Sequence, residues 1–203
     1  MPNHTDTLIK IKGRTEALAA FVARYILEDS GGDKYLDFNS IIPEPATKKD
    51  CPARYVIKDA EDAKRHHLGW DEKDPRRWFN WYEWHIDFWG TKWTSYYGHC
   101  EEPEDIINNN LEEIDISLNT AWAPAIPVYR KLQEMFAGEL EIDVYYSDEG
   151  GSYVGHLHSD GEDECYEGVD YGELGPREIC DMLGNDWLYK DFDDEEEVEE
   201  DGE

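Results

Sequence analysis

Basic residues are scarce in this chain: 19 Lys and Arg stand against 49 Asp and Glu, for a formal net charge of −30. That imbalance disfavours unaided binding to nucleic acid or to an anionic membrane, which carry the same sign of charge, and it favours basic partners. Ten of the acids fall in residues 191–203, which leaves 39 against the 19 bases elsewhere, so the folded part is acidic as well. Cysteine is sparse too. Cys51, Cys100, Cys165 and Cys180 are widely spaced with no Cys-x-x-Cys pair, so neither a zinc ribbon nor an iron–sulfur cluster is signalled. No apolar run approaches membrane-spanning length, and the first residues lack the basic-then-apolar pattern of a secretory signal, so a cytoplasmic protein is expected. Also missing are a serine-hydrolase elbow, a P-loop, a dinucleotide fingerprint and a His-Glu-x-x-His sequence. Carboxylates are so numerous that any pair could be named an acid–base couple, which makes such a choice uninformative. No catalytic residue and no cofactor is expected, and the chain reads as a non-enzyme.

What is present is periodicity. A chain of 203 residues is long enough for one well-buried domain with insertions. Leu8, Ile9 and Ile11, ending at Gly13, predict a first and central strand. Leu18, Phe21, Val22, Tyr25 and Ile26 fall at three- and four-residue spacing and predict an amphipathic helix closed by Ser30-Gly31-Gly32. Residues 91–97 mix aromatics with Thr and Ser, which suits a second strand starting at Gly90. Residues 114–119 alternate strictly and predict a third strand that buries Ile114, Ile116 and Leu118. Pro124 and Pro127 then open a helix carrying Val128, Leu132, Met135 and Phe136 as far as Gly138, and Leu140, Ile142, Val144 and Tyr146 alternate as a fourth strand. The order is β-α-β-β-α-β, in which right-handed crossovers put both helices on one face of an antiparallel sheet.

Residues 46–88 form a long, helical insertion. Within it Asp74-Pro75 reads as a helix start, after which Trp78, Trp81, Tyr82, His85 and Trp89 share a face, more in the manner of a core stripe than of a binding platform. The bases of Lys64-Arg65-His66-His67 and Arg76-Arg77 read as solvated helix faces. Residues 100–113 predict a short helix ending at Asn108-Asn109-Asn110. Beyond a turn at Gly150-Gly151, residues 152–157 predict an added edge strand, and residues 176–183 a short helix. From Asp191 onward there are too few apolar residues to offset ordering entropy. The expected organisation is therefore one domain over residues 1–190 and an acidic, disordered tail over 191–203.

Three segments, Leu36-Asp37-Phe38-Asn39-Ser40-Ile41-Ile42-Pro43-Glu44-Pro45, Trp89-Gly90-Thr91-Lys92-Trp93 and Thr120-Ala121-Trp122-Ala123-Pro124, resemble in this order those of the YubB-type family encoded by plasmids and phages. The resemblance covers about residues 7–157. It implies an α+β, ferredoxin-like domain and a mobile-element context, and it carries over no catalytic residues. The acidic region after Gly155 and the acidic tail depart from that pattern.

Two acidic clusters are the candidate contacting surface: Glu101, Glu102, Glu104 and Asp105, and Asp160, Glu162, Asp163 and Glu164, both expected in long loops beside the sheet. Their carboxylates would imitate phosphates and occupy the cleft of a basic, nucleic-acid-binding host or competitor protein, with encounter sped by long-range attraction. Two alternatives stay open. An RNA-binding module would stack bases on aromatics of the sheet or insertion, against the charge. A small metal-dependent enzyme would be built on His156 and His158, which face the same way in a strand but lack a visible third ligand. Lys92 is expected to lean along the sheet and pair with an acid, and Trp93 and Trp122 to pack within it.

Overall fold

The computed structural model describes residues 3–168 and 174–185. β1 (His4–Gly13) buries Thr5, Thr7, Ile9 and Ile11 and leaves the residues between them partly exposed, the period of two of a strand with one core face. α1 (Thr15–Tyr25) follows and buries Leu18, Phe21, Val22 and Tyr25. The chain then makes a hairpin, β2 (Ile26–Glu28) and β3 (Lys34–Leu36), where the sequence suggested only a helix stop. The Asp29 carboxylate closes its turn by accepting from the amides of Gly31 and Asp33 at 2.7 and 3.1 Å. α2 (Phe38–Ile41) is capped by Asp37. The insertion holds a 3₁₀ turn (Ala53–Tyr55), α3 (Ala60–Arg65) and α4 (Trp81–Trp89). α4 does not begin at Asp74-Pro75. Asn80 is its cap, its side-chain oxygen accepting the Glu83 amide at 3.3 Å, and residues 71–78 are turns.

β4 (Tyr96–His99), α5 (Pro103–Asn109), β5 (Glu113–Ala121), α6 (Ile126–Met135) and β6 (Leu140–Asp148) follow, then β7 (Tyr153–Leu157), β8 (Asp163–Glu167) and α7 (Leu174–Leu183). Among the described residues eight strands form one antiparallel sheet in the order β2-β3-β4-β5-β1-β6-β7-β8. β1 is central, between β5 and β6 in long registers from His4↔Ala121 and Thr5↔Asp148. The sheet is wider than the four strands and one edge strand expected. It gains the β2-β3 hairpin on one side and, on the other, β8, which makes β7 an interior strand. Asp163 and Glu164 therefore lie in a strand, and Glu104 and Asp105 in the first turn of α5, so neither acidic cluster is simply loop.

α1 and α6 share one face of the sheet: Phe136, just past α6, meets Phe21 and Tyr25 edge-on at 5.4 and 5.8 Å, above Ile9, Ile11, Ile116, Ile142 and Val144. α7 lies on the opposite face. Ile179 and Cys180 pack there with Val154, and the Asn185 amide donates to Ser147 Oγ at 2.8 Å and to Asp6 Oδ2 at 2.9 Å. Among the described residues no helix is long and apolar enough to cross a membrane. The expected tail over 191–203 lies outside the described residues.

Candidate functional site

The three sequence motifs converge at one end of the sheet. α4 ends at Gly90, whose φ of +80° is the left-handed cap that glycine adopts readily. A Cβ there would lie 2.8 Å from Pro127 and 3.2 Å from the Pro124 carbonyl, so the second motif is pressed against the third. Residues 91–95 are not a strand, and their hydroxyls do the work of a ladder. Thr91 donates to the Ala121 carbonyl at 2.7 Å and accepts the Ala121 amide at 3.2 Å. Ser95 accepts the Leu36 amide at 2.7 Å and donates to the Leu36 carbonyl at 3.2 Å. The Trp89 indole donates to the Ile42 carbonyl at 2.9 Å. His85 stacks on Trp89 with ring centroids 3.9 Å apart, and its two nitrogens meet Lys92 O at 2.7 Å and Glu44 Oε1 at 2.5 Å. Arg76 reaches the other Glu44 oxygen at 2.5 Å. Hydrogen bonding from His85 and then from Arg76 holds the Glu44 carboxyl below the usual carboxylate range, although burial opposes it.

Of the insertion's aromatic stripe His85 and Trp89 are buried, Trp78 and Tyr82 are half-buried and Trp81 is exposed, so only part of the stripe is core. Outside it lies a cavity of about 660 Å³ lined by His4, Asp29, Lys34, Trp93, Tyr96 and Tyr97 among others. Among the described residues Lys92 pairs with no acid. Its Nζ stands 4.6 Å from the ring centroids of both Trp93 and Trp122, a double cation–π contact. Trp122 is 42% exposed and Tyr97 64%, so Trp122 is not sheet packing, and both hold left-handed backbone, with φ of +72° and +52°.

On the face opposite α1 and α6 the strands β5, β1 and β6 read in rows. One row is Glu113, Lys12, Glu141; the next is Asp115, Lys10, Asp143. Both lysines are engaged, Lys10 with Asp115 at 3.0 Å and Lys12 with Glu113 at 4.0 Å. Asp6 and Glu164 add carboxylates to the same face. α7 covers the end near Ser147 and Val154 and leaves these rows open.

At the β6-β7-β8 side of this face Asp143, His156 and His158 bring one donor atom each to within 4.8 Å of one another. His156 Nε2 meets Asp143 Oδ1 at 3.0 Å, and that oxygen also accepts the Ser159 amide at 3.2 Å. Tyr145 stacks on one side of His156 at 4.0 Å, and His158 lies against it at 3.7 Å. Burial holds the His156 imidazole below its ordinary value against the opposing pull of Asp143. His158 Nε2 is enclosed without a hydrogen-bond partner among the described residues; its nearest acid, Glu164 Oε1, stands at 3.6 Å.

A family model described as the ferredoxin-like domain in Api92-like protein matches residues 88–201, more than half of the chain. The chain belongs to this family. No curated protein and no solved structure matches it.

The Api92-like match starts at the end of α4, so it contains the second and third motifs but not the 36–45 segment that packs against them. It also runs through the acidic residues after Gly155 and into the tail, so it extends beyond the 7–157 stretch of the YubB-type resemblance. The two candidate acidic clusters do not meet. One lies beside β4 and in α5, where Glu102 pairs with Lys34 at 2.6 Å; the other lies at β8, with β5, β1, β6 and β7 between. Within the second, Asp163 is engaged by the Tyr146 hydroxyl at 2.8 Å and by Arg130 at 3.6 Å, and Asp160 by the Glu162 amide at 3.0 Å. The sequence reading missed Glu113, Asp115, Glu141 and Asp143. The signal was there, since they are the polar partners in the same alternation that identified Ile114, Ile116 and Ile142 as core.

Proposed function

We propose that this protein is a non-enzymatic, acidic interaction protein of a mobile element, of the YubB type, acting in the host cytoplasm. It would occupy the basic cleft of a nucleic-acid-binding host or competitor protein in place of nucleic acid. The observation that carries this reading is the open sheet face. RNA-recognition domains with this kind of sheet stack bases on its aromatics and draw phosphates with bases. Here the same face presents Glu113, Asp115, Glu141, Asp143 and Glu164 against Lys10 and Lys12, with both lysines already engaged. Such a surface repels phosphates and attracts a cationic cleft. The contacting residues proposed are therefore the open rows together with Glu164, with Glu101, Glu104 and Asp105 on a separate part of the surface. The RNA-binding alternative has exposed rings to call on in Trp81, Tyr97 and Trp122, but it would have to work against the net charge of −30.

The test is recovery of bound protein from host extract at low salt by the wild type and by a Glu113→Lys, Asp115→Lys, Glu141→Lys variant. Side chains at these positions are exposed, so the variant should still fold. Its melting temperature should be lowered by the lost pairs to Lys10 and Lys12 and by the lysines now opposite them, and circular dichroism checks that it folds. The reading expects a basic nucleic-acid-binding protein that added duplex or RNA displaces and that the variant loses. Equal recovery by the variant, or direct RNA binding by the pure protein, would refute it.

A further inference from the structure

We propose that Asp143, His156 and His158, joined by Glu164, form a binding site for one divalent transition-metal ion of the zinc class. This goes beyond the interaction reading and does not depend on it. The four residues lie on or just past three adjacent strands and their register puts them together: Val144 pairs with Leu157 and His156 with Glu164, so Asp143 falls opposite His158 when the β6-β7 ladder is continued by one residue. Because side chains two apart in a strand share a face, Asp143, both imidazoles and Glu164 all point to the same side of the sheet.

Two features distinguish this group from an ordinary polar contact. First, His158 Nε2 is enclosed with no hydrogen-bond partner among the described residues, a cost that a metal bond would remove. Second, the groups around it fix the site without blocking it. The Ser159 amide holds Asp143 Oδ1, the Gln133 amide donates to the His158 carbonyl at 2.8 Å, and the His158 amide donates to the Glu162 carbonyl at 2.7 Å across a tight hairpin. Lys10, the cross-strand partner of Asp143, turns to Asp115, and Arg130 turns to Asp163, so each of these cations is drawn to an acid outside the four donors. The donors of Asp143, His156 and His158 need to close from within 4.8 Å to roughly 3.4 Å, the spacing that tetrahedral bonds of about 2.0–2.1 Å impose, and the Glu164 carboxylate stands 3.6 Å from His158 as a fourth donor. Metal would replace the contact between His156 Nε2 and Asp143 Oδ1. Two imidazoles with carboxylates suit zinc, iron, cobalt or nickel, whereas magnesium and calcium prefer sets made of oxygen. The strongly acidic surroundings raise the local concentration of any cation.

The experiment uses the full chain, stripped with chelator and titrated by calorimetry with Zn²⁺, then Co²⁺ and Mg²⁺, at a salt concentration that suppresses loose binding to the acidic surface. One equivalent of Zn²⁺ is expected, Co²⁺ should acquire the visible spectrum of a nitrogen- and oxygen-ligated site, and Mg²⁺ should not compete. His158→Ala and Asp143→Asn should each weaken Zn²⁺ binding at least tenfold, as the removal of one of few ligands does. His67→Ala and His99→Ala, remote from the site, should leave it unchanged. Circular dichroism checks that each variant folds, and His158→Gln replaces His158→Ala if it does not. Absence of a stoichiometric Zn²⁺ event, or a His156→Ala, His158→Ala double variant that binds as tightly as the wild type, would overturn the proposal.

Discussion

Gly155 shows how a single position can decide whether β7 joins the sheet. It pairs with Tyr146, and a Cβ built there would sit 2.2 Å from the Tyr146 ring. The ring cannot retreat, because it is buried and its hydroxyl is tied to Asp163; burial, then that carboxylate, raises its pKa. Gly155→Ala should therefore destabilise the protein by about 1–3 kcal/mol, the cost of forcing extra volume into a packed site. A chemical denaturation midpoint unchanged from the wild type would contradict this. Asp143 gives the complementary lesson about what can be read at this scale. His156 and His158 are legible as a same-face pair, but Asp143 is thirteen positions from His156 in an alternating strand where Glu141 looks equivalent. Only the strand register singles it out.

At the scale of elements, legibility follows periodicity. β1, β5, β6, α1 and α6 each repeat their apolar residues over many positions, and the sequence places them within a few residues of their ends. β2 and β3 have three residues each, too few for a period to declare itself. β8 carries only Cys165 and Tyr166 among its acids, and so it reads as loop. Residues 91–95 have strand-like composition for another reason, since their hydroxyls bond directly to backbone groups of Leu36 and Ala121 in place of a ladder. The join between α4 and the 36–45 segment rests on Glu44, which accepts from His85 and Arg76. Glu44→Gln should cost about 2 kcal/mol, the usual worth of hydrogen bonds to a charged group. The folded Glu44 pKa lies below its unfolded value, so its contribution is complete above the ordinary carboxylate range and is lost as pH falls through the depressed one. Thermal melts should show the gap between wild type and Glu44→Gln narrowing below the ordinary range. A gap that is constant down to strongly acidic pH would show that Glu44 acts by packing alone.

Across the whole molecule the charge of −30 acts in two directions at once. Like charges on one compact body repel and weaken the folded state, and salt bridges such as Lys12–Glu113, Arg14–Glu139 and Lys131–Glu134 are exposed pairs of the kind worth about 0–1 kcal/mol. Added salt shortens the screening length from roughly 30 Å at 0.01 M to about 3 Å at 1 M, so it relieves repulsion spread over the whole surface. The isolated protein should then melt at a higher temperature in about 0.5 M salt than in about 0.01 M, a range across which an electrostatically held partner should be released. Stability and partner recovery are thus expected to move in opposite directions along one salt series, which separates them experimentally. Calorimetric melts run beside pull-downs on the same buffers give both readings. If the melting temperature instead fell as salt rose, local ion pairs would outweigh the net repulsion, and the acidity would have to be treated as internally compensated rather than as a field available to a partner.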